Sequence, residues 1–239
     1  MDRKSWVASN KLAWSTGVYD ARCEEYGKAE DAAREMVENP EYFLRHFRHV
    51  LGDLPGKRVL NLLGSHARKA VPMALLGVDV TVVDISEENR RYGMETAEAA
   101  GVDIKYEVID AETYLNQAPM VTFDLCLMEG GCLHYFQDLV PLYKGVARVL
   151  SPDGRFVVHE FHPFRKIRHV NDYFFSGVHE VPVPVRSNNE GPRCRLRYRT
   201  MAEIWREIVD ASMRIELFEE QPHWEDPTVP GFILLKMTA

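Results

Sequence analysis

The chain has 239 residues, 46% of them hydrophobic and 27% charged, with a net charge of −7. That length and balance fit one soluble domain with a full core. The acidic balance and the lack of a long basic run disfavour a polyanionic partner such as DNA or tRNA. No uninterrupted apolar run reaches the about 18 residues that a membrane span needs.

The first fourteen residues, MDRKSWVASNKLAW, lack the apolar run of a signal peptide, so a cytoplasmic location is expected. Residues 1–50 are helical in tendency, with Pro40 as an interruption and Pro55-Gly56 as the turn into the first strand. Strand and helix then alternate: strand 58–62, helix 66–76, strand 79–83, helix 87–100, strand 104–108, a helical turn near 111–116, strand 123–128, helix 139–149 and strand 155–160. Apolar, β-branched strands alternating with helices imply a parallel, doubly wound sheet that binds ligands along the strands' C-terminal edge.

After Glu160 the rhythm breaks. Residues 161–199 are too long for a simple connection, and a hairpin is expected near 179–185 and 193–198. The short RKIR cluster, Arg165 to Arg168, lies here and fits a solvated loop or an anion contact. Thr200 with Glu203 predicts a capping box for a helix over 201–212. Two strands, 214–220 and 231–237, complete the chain. The cysteines, Cys23, Cys126, Cys132 and Cys194, are scattered, which indicates neither a zinc site nor a disulfide framework. His223, Trp224, Glu225 and Asp226 are contiguous, which implies no metal geometry.

The most informative stretch is 57–86, KRVLNLLGSHARKAVPMALLGVDVTVVDIS. A buried strand leads through a turn at Gly64 into a helix, and a second strand ends on Asp84. A glycine turn at a helix N-terminus, followed about 20 residues on by an acid, suits a nucleoside-containing ligand whose ribose diol the acid can hold.

This pattern resembles the class I S-adenosylmethionine-dependent methyltransferases over about residues 10–239. VLNLLGSHA (59–67) stands in register with their first motif, VLDLGCGTG, and VTVVDIS (81–86, with its preceding valine) with the acid after the second strand. VIDAE (108–112), FDLCLMEGGCLHYF (123–136) and LSPDGRFVVHEFHP (150–163) resemble the later motifs in order. The resemblance implies a Rossmann-like α/β fold with a mostly parallel seven-stranded sheet. It also implies one domain over 1–239: a helical lid (1–54), a cofactor-binding core (55–160), a substrate-cap insertion (161–199), and a C-terminal helix with an antiparallel strand pair (200–239). The departure lies in the first motif, which has Asn61 for the acid and Leu63, Ser65 and Ala67 for the glycines.

The cofactor implied is S-adenosylmethionine, with S-adenosylhomocysteine (SAH) as product. Gly64 and Ser65 would line its methionine moiety, near Asn61, with Glu129 and Gly130 beneath. Asp84 would hold the ribose and Ile85 the adenine face; a helix N-cap is the other reading of Asp84, a role Ser86 suits better. Asp110 and Ala111 would face the adenine, unless Asp110 is an ordinary turn residue. For the acceptor, His134, Glu160 and His162 are candidate proton-handling groups, since a neutral imidazole can accept a proton near pH 7. Tyr135 and Tyr173 are candidate walls, Tyr19 and Tyr26 candidate lid residues, and Arg165, Arg168, Arg197 and Arg199 candidate holders of an acidic group. The expected function is methyl transfer to an O- or N-nucleophile of a small molecule. The alternative is a methyltransferase-fold binder or pseudoenzyme; a nicotinamide-dependent oxidoreductase is weaker, because Gly64-Ser65-His66-Ala67 is not G-x-G-x-x-G.

Overall fold

A computed structural model describes residues 2–166, 172–185 and 191–239; Arg168 lies outside them. The sheet follows from runs of alternating apolar residues. Its strands are β1 (Arg58–Leu62), β2 (Asp79–Asp84), β3 (Lys105–Val108), β4 (Phe123–Glu129), β5 (Leu150–Phe161), β8 (Arg214–Pro222) and β9 (Pro230–Thr238). Their order is β3-β2-β1-β4-β5-β9-β8. The pairs among β1 to β5 are parallel, while β9 runs antiparallel to both β5 and β8. The expected doubly wound, seven-stranded sheet is therefore present.

Successive side chains in a strand point to opposite faces, and here each face has its own core. Leu60, Cys126, Met128, Phe156, Val158, Ile233 and Leu235 face α7 (Ala111–Gln117), α8 (Val140–Val149) and α9 (Met201–Asp210). Their neighbours Val59, Leu125, Leu127, Val157 and Leu234 face α3 (Ala29–Glu38), α4 (Arg48–Leu51), α5 (Ala70–Leu75) and α6 (Glu87–Ala99). Each fully buried Leu or Val here stabilises the fold by about 1.5–3 kcal/mol relative to exposure.

A third cluster joins the two N-terminal helices, α1 (Arg3–Trp14) and α2 (Val18–Tyr26), to a hairpin of β6 (Val178–Pro182) and β7 (Arg193–Arg197). The hairpin is the one expected inside the 161–199 segment. Asn10 fixes α1 to it by a reciprocal pair: its amide donates to the Arg195 carbonyl and accepts from the Arg195 N–H. Glu88, in the first turn of α6, accepts from the backbone N–H groups of Gly17, Val18 and Tyr19 and so caps α2.

Two expected boundaries move. The helix after β1 is not 66–76; it is confined to Ala70–Leu75. Ala67 has φ 59°, a left-handed conformation that no α-helix contains. Strand β5 begins at Leu150 rather than at 155, because Leu150 pairs with Phe123 across a bulge. No helix among the described residues is long and apolar enough to cross a membrane.

Candidate active site

The strand order reverses between β1 and β4, and ligands bind where such a reversal opens the C-terminal edge of the sheet. A cavity of about 1360 Å³ lies at that edge. Gly64, Ser65, Asp84, Ile85, Asp110, Ala111, Glu129 and Gly130 line it at one end. His134, Tyr135, Glu160 and His162 line it at the other, with Tyr26, Arg197 and Arg199 also on its wall. Asn61, Tyr19 and Tyr173 are not part of that wall.

The loop after β1 keeps the curl of a glycine turn without the glycines. Leu63, Ser65 and Ala67 have φ of 49°, 50° and 59°, a region that costs side-chain-bearing residues energy. Gly64 is required for a different reason. A Cβ there would lie 2.7 Å from both Asn61 Oδ1 and Val82 Cγ1. Asn61 itself is buried below the loop, donating from Nδ2 to the Leu127 carbonyl, while its Oδ1 has no partner.

Asp84 ties the loop to β2. Its Oδ2 accepts from the Ser65 N–H at 3.1 Å and its Oδ1 from the Ser86 N–H at 2.9 Å. Burial pushes its carboxyl up; the two backbone donors, the Asn89 side chain and the nearby Arg22 oppose that push. Ser86 is the N-cap of α6, accepting from Asn89 N–H, so the cap that competed for Asp84 belongs to Ser86. Asp110 caps α7 through Thr113 and is ion-paired to Arg3, which also reaches Glu112 at 2.8 Å. Glu129 stands 3.8 Å from Lys69.

At the other end, Glu160 is 2% exposed. It accepts from the Leu133 and Phe161 N–H groups, each at 2.7 Å. Burial raises its carboxyl to about 7, against the pull of those donors. His134 Nε2 lies 4.0 Å from it, with a pKa lowered to about 4 by burial and then by Arg199 and Arg165. Near neutral pH the imidazole is therefore uncharged. His162 is engaged at both ring nitrogens: Nδ1 accepts from the Phe164 N–H at 3.0 Å, which leaves Nε2 to donate to Glu220 at 2.8 Å. Gly131, at φ 90°, lets the loop pass the Phe161 ring, which a Cβ would meet at 2.6 Å.

The remaining sequence candidates divide. Tyr26 stacks on His66 with centroids 4.8 Å apart, and Tyr135 packs edge-on against Trp14. Tyr19 instead donates to Glu95 on α6 under the Arg91 guanidinium, and the Tyr173 hydroxyl accepts from the Met201 N–H at the start of α9. Arg199 is buried and makes four bonds, to Glu207 and to the carbonyls of Leu133, Arg197 and Phe136. It braces the turn that carries His134. Arg197 bonds the Gln137 carbonyl and faces Glu203 and Glu207.

Sequence reasoning missed Arg3, Trp6, Arg22 and Tyr106. Trp6 donates to the Tyr135 carbonyl at 2.7 Å, and Tyr106 to the Ser65 carbonyl at 2.6 Å. Arg22 reaches Ser65 Oγ at 2.9 Å. The available signal was the spacing of Val18, Arg22 and Tyr26, which puts the three on one helix face.

The methyltransferase domain family matches residues 63–158. No curated protein matches the chain. Among solved structures, an S-adenosylmethionine-dependent methyltransferase from Mesorhizobium loti superposes with a TM-score of 0.60 at 23% identity, over 85% of this chain and 100% of that one. Magnesium protoporphyrin IX methyltransferase from Synechocystis PCC 6803, with bound SAH, gives 0.63 at 15% identity, over 98% and 99%. An S-adenosylmethionine-dependent methyltransferase from Clostridium acetobutylicum gives 0.59 at 14% identity, over 92% and 96%. Residues 63–158 thus match a methyltransferase domain, and the chain has the fold of the S-adenosylmethionine-dependent methyltransferases.

Proposed function

We propose that this chain transfers a methyl group from S-adenosylmethionine to an O- or N-nucleophile of a small molecule. The observation that carries the reading is the single cavity, about 1360 Å³, that joins the Asp84 end to the Glu160 end. Sites for one drug-sized ligand run to about 1,000 Å³, so this volume supports a donor and an acceptor side by side.

The residues at the donor end fit the cofactor. The loop holds the left-handed curl at 63, 65 and 67, which keeps the backbone out of the ligand's way. An ionised carboxylate offers about four acceptor sites, and Asp84 uses two on backbone N–H groups and a further one on the Asn89 side chain, so about one is left for a ribose hydroxyl. At Gly130 a Cβ would meet nothing within 4 Å, which leaves open space beside the end of β4. Ile85 would cover one adenine face, with Asp110 and Ala111 at its edge.

When bound, the cofactor supplies an electrophilic methyl on a sulfonium. The chain's part is to aim a nucleophile at it and keep water out, and such positioning is worth about 7–11 kcal/mol of barrier. Tyr135, Phe136, Phe161 and Tyr198 form an apolar wall at the acceptor end. His134, uncharged at neutral pH, suits accepting a hydrogen bond from the acceptor's O–H or N–H; burial and the nearby arginines make it a weak base. Glu160 stands behind it and becomes ionised near pH 7. His162, held at both nitrogens, suits an orienting role better than a basic one.

A second reading, a binder without transfer, draws support from the Glu160 and His162 contacts, which leave His134 as the freest of the three candidate groups. Calorimetric titration with S-adenosylmethionine and SAH tests the first reading, with Asp84→Ala as control. Micromolar binding that the substitution weakens by about 1.5–3 kcal/mol supports it, as loss of a charge-assisted bond implies. Binding without methyl transfer to any of a panel of phenols, amines and carboxylates favours the second. No binding overturns the first.

A further inference from the structure

Of the arginines expected at an acidic group of the acceptor, Arg199 and Arg197 serve the protein itself, the first bracing the His134 turn and the second facing Glu203 and Glu207. Arg165 is placed differently. It lines the acceptor end of the cavity, and its guanidinium lies against three rings. Its Cζ is 4.2 Å from the centre of Phe161, 5.5 Å from that of Phe232 and 5.9 Å from that of Trp224. Cation–π attraction acts out to about 6 Å, so all three rings hold it.

The backbone builds this slot from both sides. At the end of β5 the His162 N–H donates to the Gly231 carbonyl at 2.9 Å. The short helical turn Pro163–Lys166 follows, in which the Arg165 N–H donates to the His162 carbonyl at 2.9 Å. On the other side a Cβ at Gly231 would lie 2.5 Å from the His223 Cα, so glycine lets the chain at His223 pass close to β9. Trp224 thereby comes to 5.0 Å from Phe232, ring centre to ring centre. It is 67% exposed and still lines the cavity, which puts it at the mouth.

The charges here favour an anion. The charges that shift His134 are those of Arg199 and Arg165, both positive. Glu160, 4.0 Å from the imidazole, is raised by burial and carries only part of a charge near neutral pH. Glu220 takes the His162 ring N–H. Asp138, also on the wall, bears on Glu112 and Glu207. Glu225 and Asp226 follow Trp224, but neither lines the cavity. A stack engages the face of a guanidinium, whereas its N–H donors lie in its plane, where a carboxylate meets them in a two-bond fork. Phe161 stands between Arg165 and His134, its ring 19° from parallel to the imidazole and 6.2 Å from it. Tyr198 adds a second ring, 5.7 Å from His134. A benzene ring with one substituent at each end suits that span.

We infer that the methyl acceptor is a planar aromatic acid, held with its carboxylate on Arg165, its ring along Phe161 and Tyr198, and its nucleophilic group at His134. The inference rests on the transfer reading above and names the substrate class of that same site.

The test is calorimetric, on protein saturated with SAH so that the donor end is filled. The probes are 4-hydroxybenzoate, 4-hydroxycinnamate and 4-aminobenzoate, each paired with its uncharged primary amide, which keeps the ring and the planar end group. At least one acid is expected to bind the wild type about tenfold or more tighter than its amide, the size of one charge-assisted bond. Arg165→Ala should abolish that preference and leave the amide's affinity within a few-fold, which also shows that the site is intact. Arg165→Lys should restore only part of the preference, because an ammonium lacks the planar fork. If the amides bind the wild type as tightly as the acids, if no acid binds, or if the preference survives in Arg165→Ala, the inference fails while the donor reading stands. If SAH itself does not bind, both fail. The wild-type comparison of acid with amide decides the matter even if Arg165→Ala does not fold.

Discussion

At the scale of single residues, the loop after β1 stores strain that its sequence conceals. Ala67 sits at φ 59° with no exposure, and Gly93 on α6 approaches it so closely that a Cβ there would lie 3.0 Å from the Ala67 Cβ. Ala67→Gly relieves about 1 kcal/mol of strain and removes about 0.8 kcal/mol of buried methyl, so unfolding free energy should change by less than about 1 kcal/mol. Ala67→Val puts a branched side chain into a forbidden region and an already full space, and should cost at least about 2 kcal/mol. Urea melts of both variants test this; equal losses would mean that the left-handed backbone is not what limits the position. Glu160 offers a pH-dependent counterpart. Its carboxyl is raised from 4.5 to about 7, so between those values the folded state holds a proton that the unfolded state has released. Stability then falls as pH rises through that window, by roughly 3 kcal/mol at about 1.4 kcal/mol per unit. Glu160→Gln cannot titrate. Its melting temperature relative to wild type should climb from pH 5 to pH 8, whatever its offset from the lost acceptor. A constant difference would mean that Glu160 is ionised throughout.

At the scale of elements, what could be read from the sequence was what repeats locally. The strands were visible because Val59 and Leu60, or Leu127 and Met128, feed opposite cores. The Thr200 capping box was visible because its residues lie three apart, and both of its bonds are present. Thr200→Ala should therefore cost α9 about 1 kcal/mol, measurable by chemical denaturation; a loss below about 0.3 kcal/mol would show that Tyr173, which already accepts from the Met201 N–H, carries the helix start alone. The loop after β1 was half legible. Its register and Gly64 were evident, but its helix was expected to begin near 66, because nothing in the letters Ser, His and Ala announces a positive φ. Arg22 was not legible at all. It meets Ser65 across 43 residues of chain, and pattern within α2 says only which face it shares, not what that face will cover. The same holds for Arg199, expected at the substrate and found bracing the His134 turn, since only the fold supplies Glu207 and the carbonyls of Leu133 and Phe136.

At the scale of the whole molecule, α1 crosses the cavity as a strap, and three of its fastenings bear on the ligand. Asn10 holds it to β7, Trp6 holds it to Tyr135, and Arg3 holds it to Asp110 and Glu112. The first two bury little-exposed groups and anchor the helix. The third is different. The Arg3 side chain is 42% exposed, while Asp110 and Glu112 are 17% and 15% exposed, and an ion pair open to water on its cationic side is worth about 1 kcal/mol. It also lies on the two carboxylates beside which the adenine is expected, so it is the fastening that a departing nucleoside must pass. Arg3→Ala should leave the melting temperature nearly unchanged yet speed SAH dissociation severalfold in stopped-flow measurements. High salt should act on the wild type in the same direction, since at about 1 M the screening length falls to about 3 Å, and should act less on the variant. If instead the variant melts early and releases SAH at the wild-type rate, Arg3 serves stability alone, and the ligand must leave past the β6–β7 hairpin rather than under the start of α1.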